Sequence, residues 1–136
     1  MDLTLKNIKY FKPGSEETPN FVASLYDNGK HVATVANDGH GGCNYFQPVN
    51  GGSYSSVMKY DNYNVEAEIF RMVYEYDAVT THQTKSLVMK KGDSLHLCKF
   101  NISIARLKRS PKNKALLEEH IKDYEKKGFT ILNRNI

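Results

Sequence analysis

An Asn-Gly dipeptide at positions 28 and 29 separates two short runs rich in apolar and β-branched residues, Phe21 to Tyr26 and Lys30 to Ala36. A two-residue type I′ turn needs positive φ at both central positions, and Asn-Gly supplies it with least strain. A β-hairpin, and with it an antiparallel sheet, follows. With Asn28 and Gly29 as the loop, Leu25 faces Val32, Ala23 faces Thr34 and Phe21 faces Ala36. That face is predicted to bury, leaving Val22, Ser24, Tyr26, His31, Ala33 and Val35 on the other.

The remaining elements read from periodicity and punctuation. Leu3 to Tyr10 alternates as a strand, with a slip after Leu5 that a bulge absorbs. Pro13, Gly14 and Pro19 bound a polar turn. Val65, Ile69, Met72, Val73 and Tyr76 share one helical face, which predicts a helix from an Asn64 cap to about Val79, with Glu66 and Glu68 in its first turn. A second hairpin is predicted from Ser86–Met89 to Leu95–Cys98 around Gly92. Ile102 to Lys108 suits either a strand or a helical turn. Ser110-Pro111 opens another helix, with Leu117, Ile121 and Tyr124 inward and Gly128 at its end, and Phe129 to Leu132 reads as a last strand. The order predicts an α+β fold: a mainly antiparallel sheet of about five or six strands with two helices packed on one face.

At 136 residues a single domain over 1–136 is expected. Hydrophobic residues at 40% and charged residues at 25% fit a globular chain rather than a disordered one. No run approaches the length of a membrane span, and Met1-Asp2-Leu3-Thr4-Leu5-Lys6 lacks the apolar stretch of a secretory signal. A cytoplasmic location without membrane association is expected, and Cys43 and Cys98 are expected to be free thiols.

Residues 37–63 hold five glycines and five aromatic residues with no clean period. So long a connection draws attention as a functional segment. Its first part, Asn37-Asp38-Gly39-His40-Gly41-Gly42, follows a Ser15-Glu16-Glu17-Thr18 turn in the chain. Together these resemble a loosely defined group of small bacterial and phage proteins that pair an S-E-E-T turn with an N-D-G-H-G-G loop. The resemblance covers about the first third of the chain and implies a phage-type context, in which small proteins act by binding host factors; it carries no catalytic assignment or cofactor.

Three chemistries compete at this loop. Glycines let backbone N–H groups converge on an anion, so Asn37, Asp38, Gly39, His40, Gly41 and Gly42 suit a phosphate or ligand loop, or simply a tight turn stapled by Asp38 and Asn44. His40 and Cys43 form a base and a thiol three residues apart, with Asp38 to orient the imidazole, as a small hydrolase or nucleotide-processing enzyme would need. His40, Cys43, His96 and Cys98 add up to the ligand types of a zinc site, at a spacing that matches no familiar finger.

Charge and aromatic content favour binding. No acidic residue lies between Ser94 and Leu117, where Lys99, Arg106, Lys108, Arg109, Lys112 and Lys114 contribute six positive charges; the remainder of this +4 chain is therefore net acidic by two. Such segregation suits phosphate or an acidic protein. Tyr45, Phe46, Tyr54, Tyr60 and Tyr63, interleaved with Asn, Ser and Gly, have the composition of an adaptable recognition surface, or of rings that close a core. The expected function is a non-enzymatic, phage-type protein, without cofactor, that inhibits a host defence or nucleic-acid-handling complex in the manner of an anti-CRISPR. Its partner is a host protein or nucleoprotein complex, with nucleic acid or a nucleotide at the contact and oligomerisation open.

Overall fold

A computed structural model describes residues 1–133. It shows an α+β protein with antiparallel sheets. The elements are β1 (Leu3–Tyr10), β2 (Asn20–Asp27), β3 (Lys30–Asp38), β4 (Tyr45–Pro48), α1 (Tyr63–His82), β5 (Ser86–Lys91), β6 (Ser94–Lys99), α2 (Ile104–Leu107), α3 (Pro111–Lys126) and β7 (Thr130–Ile131). The strands divide between two sheets, ordered β1-β2-β3-β4 and β6-β5-β7, where the sequence suggested one. No helix is long and apolar enough to cross a membrane among the described residues.

The chain separates into two compact units, Met1–Tyr76 and Asp77–Ile136, with the division inside α1. Each has its own core. In the first, Val65, Ile69 and Val73 of α1 join Phe21, Ala23, Leu25, Ala33, Val35, Phe46, Val57 and Tyr60. In the second, Leu87 and Met89 of β5 meet Ile104 of α2 and Leu117 and Ile121 of α3.

The first hairpin turns where expected but changes face on the way back. Asp27 pairs with Lys30 and Tyr26 with His31, as the Asn28-Gly29 loop dictates. A shift then sets Leu25 opposite Ala33 and Ala23 opposite Val35, leaving Val32 as the extra residue. Ala33 and Val35 are fully buried, while Val32, Thr34 and Ala36 are only partly so. The predicted inner face of β3 is therefore corrected: one bulged residue moves every later side chain to the opposite side of the sheet. The bulge in β1 falls between Lys6 and Lys9, close to the predicted slip, with Asn7 at φ 54°.

Residues 49–60 form three short 3-10 turns, Val49–Gly51, Tyr54–Ser56 and Met58–Tyr60, which explains their lack of a clean period. Helix α1 begins earlier than predicted, because the Asn62 side chain rather than Asn64 accepts the Val65 N–H at 3.1 Å. The ambiguous segment after Ile102 becomes the single turn α2, capped by Ser103. Helix α3 starts as predicted, with Ser110 accepting from the Asn113 N–H, Pro111 in the first turn and Gly128 just past the end at φ 93°.

Tyr60 anchors the 3-10 segment to the far end of β2. Its ring is buried, and its hydroxyl donates to Asp27 Oδ2 at 2.7 Å, while Oδ1 of the same carboxylate is buried without a partner. Burial, reinforced by that bond and the carboxylate's charge, pushes the Tyr60 pKa up to about 12. The unfolded chain then loses this proton near pH 10, before the folded one does, so the contribution is complete below pH 10 and drains away towards pH 12. Tyr60→Phe is expected to cost about 2 kcal/mol in urea unfolding at neutral pH. The alkaline loss of stability should be smaller in the variant, which the same titration repeated from pH 9 to 12 measures.

Candidate functional site

The turn carrying Ser15-Glu16-Glu17-Thr18 and the loop carrying Asn37 to Gly42 are folded onto each other. The carbonyl oxygen of Gly39 accepts the N–H groups of Glu16 and Glu17 at 3.0 Å and of Thr18 at 3.4 Å. Gly39 has φ 86°, and a Cβ there would collide with the carbonyl oxygen of Gly14, so the close approach of these two stretches requires glycine.

Asn37 sits at the centre, 7% exposed. Its Oδ1 accepts from Thr18 Oγ1 at 2.7 Å and from the Gly39 N–H at 2.9 Å, while its Nδ2 donates to the Gly42 carbonyl at 2.9 Å and to Asn44 Oδ1 at 3.2 Å. Asp38 Oδ1 accepts the His40 N–H at 3.0 Å, and the Thr18 hydroxyl oxygen accepts the Gly41 N–H at 3.3 Å. Three consecutive backbone donors, of Gly39, His40 and Gly41, thus already point at oxygens of this chain. A phosphate nest built from them would have to displace those bonds, and the tight-turn reading accounts for the geometry.

The three side chains considered for catalysis do not converge. Asp38 is used on the His40 backbone, and the His40 ring meets Glu16 Oε2 at 3.1 Å in an exposed pair. Cys43 is an exposed free thiol with no hydrogen bond to His40. A shallow groove of about 420 Å³ runs beside the loop, with Asn20, Asn37, Asp38, Cys43 and Tyr45 in its walls.

The zinc alternative finds no cluster: among the described residues no group of three or more His, Cys, Asp or Glu side chains could hold a metal. His96 stands edge-on to Phe129 with ring centroids 5.1 Å apart. Cys98 raises the pKa of Tyr124.

The aromatic group divides. Phe46 and Tyr60 were expected on a recognition surface but lie in the core, 4% and 1% exposed, packed 6.4 Å apart. Tyr45, Tyr54 and Tyr63 are exposed. Tyr54 donates to Asp61 Oδ2 at 3.3 Å, and mainly the negative charge of Asp61 raises its pKa.

The basic residues belong to the second unit. Lys99 ends β6, Arg106 is on α2, Lys108 and Arg109 form the link to α3, and Lys112 and Lys114 occupy its first turn. All are exposed except Lys108, which is half-buried. None of the six is in an ion pair among the described residues, although Arg71 is clasped by Glu68 and Glu75, and Lys127 meets Asp123 at 3.0 Å. The partners that sequence reasoning missed are Thr18, Glu16 and Asn62, polar residues whose roles depend on contacts distant in the chain or on a cap two positions away. Comparison with family models, curated proteins and solved structures gives no match to this chain.

If the Asn37 amide organises the loop, Asn37→Ala should cost about 2–3 kcal/mol in urea unfolding, because it strands several buried polar groups at once. His40→Ala, which removes only an exposed pair, should cost less than about 0.5 kcal/mol. Amide exchange at Gly39, His40 and Gly41 should accelerate in the first variant and not in the second.

Proposed function

We propose that this chain is a non-enzymatic binding protein that engages a phosphate-rich partner, a nucleic acid or nucleoprotein complex, through residues 99–114, and acts by occlusion. The observation that carries this reading is the set of six cations that, among the described residues, are left without ion pairs on one compact unit, in a stretch free of acidic residues. Exposed cations with no internal counter-charge keep their capacity for charge-assisted bonds to phosphate, and guanidinium groups such as Arg106 and Arg109 suit its oxygens bidentately.

The exposed rings of Tyr45, Tyr54 and Tyr63 offer further contact area on the other unit, of the kind that stacks on unpaired bases. The resemblance in the S-E-E-T and N-D-G-H-G-G motifs adds a phage-type context, and inhibition of a host defence complex such as a CRISPR effector is its most concrete form. An enzymatic reading through His40, Cys43 and Asp38 has less support, since the imidazole is engaged with Glu16 and no nucleophile and base are joined.

Binding to a DNA or RNA duplex, followed by fluorescence anisotropy, tests the proposal. Neutralising about six phosphates predicts a loss of about a thousand-fold in affinity between about 50 and 200 mM salt. Combined Arg106→Glu, Lys108→Glu and Arg109→Glu should abolish binding while leaving the fold's circular dichroism intact, and His40→Ala should leave binding unchanged. Affinity indifferent to salt, or to the triple reversal, would refute it.

A further inference from the structure

Exposed sheet edges are normally short, bulged or broken, because a regular edge is a template for another strand. In the first unit β1 carries a bulge at Asn7 and β4 is four residues ending in Pro48. In the second, β7 has two residues. Strand β6 differs: six residues, regularly paired to β5 on one side, and among the described residues without a strand on the other.

The hydrogen-bond phase of β6 follows from its hairpin. Lys91 faces Ser94 across the Gly92-Asp93 turn, and the ladder ends with the Phe100 N–H donating to the Lys85 carbonyl at 2.8 Å. Hydrogen-bonded pairs alternate along an antiparallel ladder, so Ser94, His96 and Cys98 direct their backbone groups at β5. The N–H and C=O groups of Leu95, Leu97 and Lys99 therefore point away from the sheet. Leu95 and Leu97 also share a face and are 41% and 37% exposed, so two apolar side chains stand side by side on this open edge.

We propose that a second copy of this chain occupies this edge, β6 pairing with β6 antiparallel about a two-fold axis at His96. In that register Leu95 lies opposite Leu97 of the partner, pairs in which both backbones have outward groups, and the turn residue Asp93 comes opposite the partner's Lys99. Asp93, in the turn just before β6, and Lys99, at its last position, are exposed, have no ion pair within their own chain among the described residues, and sit roughly 20 Å apart. They cannot meet within one copy. The two-fold brings each to the opposite charge on the other, with the leucines paired between them, and joins two three-stranded sheets into one of six strands.

Sedimentation of the full chain across a dilution series should show a reversible dimer. Lys99→Asp should weaken it about ten-fold by placing like charges opposite at both ends, and Asp93→Lys combined with Lys99→Asp should restore it. His96→Cys in a Cys43→Ser background should form a disulfide-linked dimer on mild oxidation, since a self-opposed non-hydrogen-bonded pair brings Cα atoms to about 4.5 Å, whereas Lys91→Cys should not. A monomer at every concentration, a dimer unmoved by charge reversal, or failure of His96→Cys to cross-link would overturn the proposal.

Discussion

The carboxamide of Asn37 is buried at the end of β3 and uses its oxygen twice and its nitrogen twice. A buried amide tolerates no unmet bond cheaply, so the positions of Thr18, Gly39, Gly42 and Asn44 are set together. From that junction the S-E-E-T turn is fastened to the glycine loop, the Gly39 carbonyl is enclosed by N–H groups, and the loop is turned into a structural clasp. The sequence suggested a phosphate cradle there because glycines and a histidine supply the right groups. Their donors at Gly39, His40 and Gly41 are consumed internally.

What could be read from the chain was largely local. Asn28-Gly29, Gly92 and Ser110-Pro111 each prescribe a turn or a helix start within a few residues, and each stands where the residue types required it. The sheet's inner face was not legible in the same way. The residues of β3 alternate equally well in either phase, and a bulge at Val32 selects the phase that buries Ala33 and Val35 against α1. Phe46 and Tyr60 look in sequence like the exposed tyrosines around them. Only the pairing of β4 with β3, and a carboxylate thirty-three residues away at Asp27, decides that they go inside.

Electrostatics separates the two helical regions more sharply than composition does. On α1, Arg71 lies between Glu68 and Glu75 at helical spacing, so its charge is neutralised where it stands. From Lys99 to Lys114 the cations have no ion pair within the chain among the described residues, and the first turn of α3 carries lysines where a helix N-terminus favours acids. This arrangement does nothing for helix stability and leaves the local positive charge uncompensated along the chain.

The most direct measurement is amide chemical-shift mapping of the isotope-labelled protein titrated with a short nucleic-acid duplex. Shifts concentrated at Lys99, on α2 and through the first turn of α3, with the backbone of Gly39 to Gly42 undisturbed, are the result this account predicts. Shifts centred on the glycine loop, with residues 99–114 silent, would contradict it.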